Sequence, residues 1–234
     1  MSTGAKPISS FQAMDALLAE LHLKWPSLKT VTLAGFSAGA QLLQHYAGFA
    51  AQLPEGLRIR FVIADPGTWL YFDPVRPAAS LGGQASADGA ACGDPSNYPG
   101  TCALMMDTPS SAACPRYDRW KYGMEGLPTH LGRDAATARE HYRTADIAYL
   151  VGALDSGPNP GTFNKLLDHS CSAELQGTFR LQRAQNYVAY ERETLRPSTL
   201  RTLTVVPGCA HDAGCVLPSA AANQALFGTA GARP

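Results

Sequence analysis

The sequence contains no long apolar run, no excess charge of either sign and no closely spaced pair of metal-binding cysteines. Its 19 basic residues balance 19 acidic ones, so no attraction to nucleic acid or to an anionic membrane is expected. No apolar stretch approaches the roughly 20 residues of a membrane-spanning helix. The opening segment, MSTGAKP, lacks the apolar stretch of a signal peptide, and none is expected in this chain. Because no CxxC pair exists and the histidines are scattered, no metal site and no cofactor is predicted.

Six cysteines are present, and an even number favours disulfides and an oxidising compartment. We therefore expect a secreted or periplasmic protein. Cys92 and Cys102 bracket GDPSNYPGT, a turn-rich loop with little apolar content, and a bridge between them is predicted to contribute roughly 2–3 kcal/mol. A second bridge is expected to tether the loop around AHDAG, in which Cys209 or Cys215 pairs either with the other or with Cys171.

The order of apolar and polar residues predicts a single α/β domain over residues 1–234, 45% of which are hydrophobic. Predicted strands lie at 30–35, 58–64, 147–152 and 200–206, and predicted helices at 9–25, 37–50, 134–143, 177–195 and 219–227. Because strands alternate with helices, we expect a mostly parallel sheet with helices on both faces. A Pro- and Gly-rich segment at about 66–132 lacks periodicity and is predicted to form loops with short helices.

A serine lies between two glycines in GFSAG, where an apolar strand gives way to a helix. In a sharp strand-to-helix turn, small residues two positions before and after the serine relieve crowding, as Gly35 and Gly39 would. The turn would place the Ser37 hydroxyl above a helix N-terminus, whose free N–H groups can stabilise an oxyanion. The pattern alone occurs in unrelated loops, but this context predicts a nucleophile; the alternative is an ordinary tight turn.

A serine nucleophile requires a neighbouring base that is itself oriented by a carboxylate. Asp155 follows the third predicted strand in AYLVGALDSGP, and His211 follows the fourth in TVVPGCAHDAG. Because the carboxyl ends of parallel strands meet at one edge of a sheet, we expect both side chains at the same rim as Ser37.

Both assignments have rivals in the sequence. Asp65 ends the second predicted strand and is the alternative acid, although Asp65-Pro66 could equally form a simple turn. His169 is the alternative base. Asp212 adjoins His211, and because adjacent residues rarely face each other, we expect it to make local hydrogen bonds instead.

These residues and their order resemble the α/β-hydrolase superfamily of serine esterases and lipases. The segments RFVIADPGTWLYF and YDRWKYGMEGLP are similar to an esterase-like subgroup. The resemblance covers nearly the whole chain but only the C-terminal half of the family's fold. That half begins at the elbow strand, which is the predicted strand 30–35 that leads into the GFSAG turn, and the helix after the turn is the elbow helix. It implies Ser37 as nucleophile, Asp155 as acid and His211 as base, with the Ala38 N–H as one oxyanion donor.

In the family, a further strand and a second oxyanion donor lie ahead of the elbow helix. In this sequence, only residues 1–9 precede the first predicted helix. The elbow strand is therefore expected at the edge of the sheet, in a minimal or truncated hydrolase. Because an open strand edge is a template for another chain, we expect a homodimer or higher oligomer through this edge.

The sequence thus predicts serine-dependent hydrolysis of small-molecule or polymeric carboxylic esters through an acyl-enzyme intermediate. Trp69, Tyr71 and Phe72 follow the second strand; they either line the substrate pocket or pack the 66–132 segment onto the sheet. The alternative function, suggested by the incomplete oxyanion hole, is a catalytically silent hydrolase-like domain that binds a ligand or partner.

Overall fold

The computed structural model describes residues 8–51, 54–78, 105–199 and 201–228. The strands in these ranges are β1 (Thr30–Phe36), β2 (Arg58–Ala64), β3 (Arg76–Pro77), β4 (Met106–Asp107), β5 (Asp146–Gly152) and β6 (Leu203–Val206). The α-helices are α1 (Ser10–Lys24), α2 (Ala38–Phe49), α3 (Ala135–Thr144), α4 (Cys171–Glu174), α5 (Arg180–Tyr190), α6 (Ala213–Val216) and α7 (Ala220–Phe227). A π-helical turn, Glu191–Leu195, continues α5.

Four parallel strands form the main sheet in the order β1-β2-β5-β6. The two short strands β3 and β4 pair with each other in an antiparallel ribbon. This arrangement confirms the predicted α/β class and the parallel sheet. Each long crossover carries a helix, as parallel neighbours require.

Helices pack on both faces of the sheet, as the alternating side chains of β2 demonstrate. Phe61 and Ile63 belong to the larger apolar core, which α1, α2, α3 and α5 cover. Val62 and Ala64 belong to a smaller core on the opposite face, which α6 and α7 cover. Because successive residues of a strand face opposite sides, one apolar run supplies both cores.

The segment after β2 runs inward and packs on α5. The side chains of Trp69, Tyr71 and Phe72 are all buried. The Trp69 ring stacks on that of Tyr187 with 4.4 Å between ring centroids, and the Gln176 side chain hydrogen-bonds both the N–H and the carbonyl of Trp69, each at 2.8 Å. Of the two roles that the sequence left open for these aromatics, the structure places them in packing, away from the surface of the rim.

A buried arginine holds the loops of the 66–132 segment that the structure describes. The Arg76 guanidinium is completely buried and lies 4.3 Å from the centre of the Tyr71 ring. It pairs with Asp118 at 3.4 Å. It also donates to the carbonyl oxygens of four loop residues, Asp73, Val75, Tyr117 and Tyr122. A planar cation with five N–H groups can thus satisfy backbone carbonyls that have no partner strand or helix.

Two disulfides lie within the described residues. Cys209 and Cys215 are bonded to each other, which confirms that a bridge tethers this loop and selects one of the two predicted pairings. Cys171 pairs instead with Cys114 and ties the 105–132 segment to α4. The predicted bridge between Cys92 and Cys102 lies outside the described residues.

The helices of the described ranges include none that combines the length and the apolar character needed to cross a membrane.

Among the described strands, β1 has a neighbour on one side only. It is half-buried along most of its length. Leu17 of the preceding helix α1 and Trp25, just after that helix, are each 55% exposed. Within the described ranges, the elbow strand β1 therefore has one unpaired backbone edge, which agrees with the expectation from the sequence.

We predict that the purified chain forms a homodimer or higher oligomer through this edge, because unpaired N–H and C=O groups template a further strand. Light scattering should report more than one chain per particle. Leu17→Glu with Leu21→Glu should dissociate it, whereas Leu166→Glu, at an exposed leucine that follows β5, should not. A monodisperse monomer of the unaltered chain at micromolar concentration contradicts the prediction.

Candidate active site

Ser37 occupies a strained turn between β1 and α2. Its φ of 54° and ψ of −117° lie in a region that few residues other than glycine adopt. Its N–H donates to the Ala64 carbonyl at 2.9 Å, and its carbonyl accepts from the Gln41 N–H at 3.1 Å. Because β2 holds the turn on one side and α2 on the other, the strained conformation persists and lifts the hydroxyl above the carboxyl edge of the sheet.

The two glycines of the GFSAG motif have different roles in this turn. A Cβ atom at Gly35 would lie 2.5 Å from the carbonyl oxygen of Gly39, far inside contact distance. A Cβ atom at Gly39 would have no neighbour within 4 Å. The sequence predicts that both glycines relieve crowding, but in the described part of the chain only Gly35 is sterically required.

His211 lies in the loop after β6, and its Nε2 is 2.9 Å from the Ser37 Oγ. The loop is fixed by its flanking Cys209–Cys215 disulfide and by a hydrogen bond from the His211 N–H to the Gly161 carbonyl. The Phe36 ring packs on the imidazole with 4.7 Å between centroids. These contacts leave the buried imidazole little rotational freedom.

Asp155, in the loop after β5, accepts a hydrogen bond from His211 Nδ1 to its Oδ2 at 2.9 Å. Its other oxygen, Oδ1, lies 3.2 Å from Nη1 of Arg180 at the start of α5. Both Asp155 and Arg180 are almost completely buried. An ionised carboxylate can only accept, so Nδ1 of His211 carries its proton and Nε2 is free to accept from the Ser37 hydroxyl.

The three alternative residues hydrogen-bond to groups other than Ser37 and His211. His169 is exposed, and its ring nitrogens contact Glu174 and the Asn164 carbonyl rather than Ser37. Asp212 caps the short helix α6 by accepting from the Gly214 N–H at 2.8 Å, in keeping with the local hydrogen bonds expected of it. Asp65 is buried beside Asp155, but its Oδ1 accepts from a backbone N–H rather than from His211.

Ala38, which the sequence predicts as an oxyanion donor, is the first residue of α2 and directly follows Ser37. The N–H groups of the first helical turn have no carbonyl four residues earlier in the helix, so that of Ala38 is free to donate to a ligand oxygen. This is the place that the sequence assigns to it.

Apolar side chains that the sequence did not single out surround the rim. Phe163 is 57% exposed, and its ring centroid lies 6.4 Å from that of His211. Leu154, next to Asp155, is 53% exposed. Leu42, one turn of α2 beyond Ala38, lines a neighbouring groove with a volume of about 340 Å³. Their position after β5 and on the elbow helix is the only signal in the sequence that could have identified them.

The side chains of Asp65, Asp155 and His211 bring three possible metal-ligating atoms within 4.8 Å of one another. Both ring nitrogens of His211 already contact protein groups, and Arg180 supplies a positive charge to Asp155. Hydrogen bonds and an ion pair among these side chains therefore account for their close approach.

We expect Gly35→Ala and Gly39→Ala to change stability in opposite directions. The added methyl group at residue 35 must displace the first turn of α2, which should cost more than about 2 kcal/mol of unfolding free energy. At residue 39 it meets open space and replaces glycine within a helix, a gain of up to about 1 kcal/mol. Urea unfolding measures both. Equal effects of the two substitutions would contradict this account of the turn.

The sequence matches no protein-family model and no curated protein. Its structure is similar to poly(aspartic acid) hydrolase-1 from Sphingomonas sp. KT-1, with a TM-score of 0.52, 18% identity, and coverage of 87% of this chain and 58% of that one. It is also similar to LpqC, a poly(3-hydroxybutyrate) depolymerase from Bordetella parapertussis, with a TM-score of 0.54, 18% identity, and coverage of 91% and 56%. The chain thus spans little more than half the length of these proteins. This similarity shows that the chain shares the fold of these two proteins, with a parallel sheet between helices.

Proposed function

We propose that the chain is a serine hydrolase that cleaves carboxylic esters through an acyl-enzyme intermediate. The observation that carries the proposal is the continuous hydrogen-bonded series from Asp155 through His211 to the Ser37 hydroxyl, with 2.9 Å at each link. Such a series activates a serine that is otherwise a weak nucleophile. The α/β-hydrolase fold and the two similar proteins, a hydrolase and a depolymerase, support the same chemistry.

In the first half-reaction, Ser37 Oγ attacks the ester carbonyl carbon while Nε2 of His211 takes the hydroxyl proton. The carbonyl oxygen becomes an oxyanion that the Ala38 N–H stabilises at the N-terminus of α2. His211 then returns its proton to the leaving alkoxide, which departs as the alcohol and leaves the acyl group on Ser37. Asp155 stabilises the imidazolium that forms in between.

In the second half-reaction, His211 removes a proton from a water molecule that attacks the acyl carbon. The tetrahedral intermediate collapses, Ser37 recovers its proton, and the carboxylic acid leaves. The Ala38 N–H is the oxyanion donor assigned within the described residues, and one such donor contributes on the order of 10² to 10³ in rate.

We propose ester polymers as well as small esters as substrates. The rim carries two exposed apolar side chains: Leu154, next to Asp155, and Phe163, whose ring centroid lies 6.4 Å from that of His211. Both similar proteins are named for polymeric substrates. An open apolar rim suits a chain whose ends extend beyond the site. The disulfides support a secreted or periplasmic location for this activity.

A second function is a silent hydrolase-like domain that binds a ligand or partner. The observation that favours it is the single assigned oxyanion donor, since binding does not require a complete oxyanion hole.

Turnover of a short p-nitrophenyl ester separates the two functions. We expect Ser37→Ala and His211→Ala to remove nearly all hydrolysis, and Asp155→Asn to lower kcat by about 10⁴-fold because it favours the wrong imidazole tautomer. Asp212→Asn is the matched control, since asparagine can still cap α6, and it should retain normal turnover. Activity that survives Ser37→Ala, or no activity in the unaltered chain, would exclude the serine mechanism.

A further inference from the structure

Asp65 is a buried acidic residue that the proposed reaction does not use. It lies at the carboxyl end of β2, and no part of it is exposed. Its φ of 48° is unusual for a residue other than glycine. Two hydrogen bonds to β5 hold it there: its N–H donates to the Leu150 carbonyl, and its Oδ1 accepts from the Gly152 N–H, both at 2.9 Å. A strained backbone fixed this way gives the carboxyl group one orientation.

The second oxygen of Asp65, Oδ2, has no donor among the described residues although it is buried. The neighbouring groups are Asp155 in the loop after β5, His211 in the loop after β6 and Arg180 on α5. Arg180 forms its ion pair with Asp155, not with Asp65. An ionised Asp65 would therefore be a buried charge without its own cation, beside a second carboxylate.

One oxygen of the Asp65 carboxyl group lies within 4.8 Å of an oxygen of the Asp155 carboxyl group. Burial raises the pKa of Asp65 to about 8, and the negative charge of Asp155 acts in the same direction, against the Gly152 hydrogen bond and the more distant Arg180. Two buried carboxyl groups this close retain one proton between them, because like charges in one site cannot both ionise.

We propose that Asp65 is a positioning residue that carries this proton on Oδ2 and donates it to the Asp155 carboxylate. Asp155 is then held by three groups: Arg180, His211 and Asp65. The pair carries one negative charge instead of two. A second charge would bind the His211 proton more tightly and make the imidazole a slower proton donor to the leaving group. This role in catalysis rests on the proposed serine mechanism, whereas the protonation of Asp65 does not.

Asp65→Asn is the direct test, because an asparagine amide can donate where the protonated carboxyl group does, and its oxygen can still accept from Gly152. In the unaltered protein, the folded state holds the Asp65 proton up to about pH 8, whereas the unfolded chain loses it near pH 4. Between these values the folded state binds more protons, so its stability falls as pH rises. The asparagine variant has no such loss.

The melting temperature of Asp65→Asn should therefore exceed that of the unaltered protein by about 5 °C or more at pH 8, and the difference should shrink steadily towards pH 4. Asp212→Asn, which removes an exposed carboxylate from the His211 loop, is the matched control for the loss of one negative charge. If Asp65→Asn changes the melting temperature equally at every pH, or lowers it most at pH 8, Asp65 is ionised and the proposal is wrong.

Ester turnover tests the positioning role separately. Asp65→Asn should keep kcat/KM within about threefold at pH 7, whereas Asp65→Ala, which can neither donate nor accept, should lower kcat at least tenfold with little change in KM. A tenfold loss in Asp65→Asn would make Asp65 the acid of the site and overturn the proposal. If the unaltered chain hydrolyses no ester, the serine mechanism fails, and the melting temperatures still decide whether Asp65 holds a proton. The melting temperatures of Asp65→Asn and of the unaltered protein also decide whether Asp65 holds a proton if Asp65→Ala does not fold.

Discussion

The site depends on the close approach of backbone segments at the carboxyl ends of the strands. At the end of β1, Gly35 lets the first turn of α2 pass so near that a Cβ atom would lie 2.5 Å from a carbonyl oxygen. At the end of β5, a Cβ atom on Gly152 would lie 2.4 Å from the carbonyl oxygen of Ala210, the residue before His211. Two positions without side chains thus bring the Ser37 turn and the His211 loop within hydrogen-bonding distance of each other.

Buried arginines connect the loops around this rim by donating to their backbone carbonyl oxygens. Arg183 of α5 donates to the carbonyl oxygens of Gly67, Asp168 and Gly177, which belong to three separate loops. Arg180, one turn earlier, donates to Asp155 and to the Thr162 carbonyl. One helix therefore links the loop after β2 to the loop that carries Asp155. Burying these guanidinium groups is possible because each has several acceptors.

The strands, most helices and the elbow turn follow from local patterns and could be predicted from the sequence. The sequence favours Asp155 as the acid but leaves Asp65 open, because both follow apolar strands; the hydrogen bond between His211 and Asp155 is visible only in the structure. The pairing of Cys171 with Cys114 and the carbonyl contacts of Arg183 join residues far apart in the chain, which periodicity does not reveal. The inward path of Trp69 was equally hidden, since an aromatic residue after a strand suits a pocket and a core alike.

The central claim is that Ser37 is a nucleophile activated by His211. Mass-spectrometric mapping of a fluorophosphonate adduct tests it most directly, because such a probe reacts with activated serines. The account predicts a single adduct, on Ser37, that forms far more slowly after His211→Ala. An adduct on another serine, or a labelling rate at Ser37 that does not depend on His211, would contradict it.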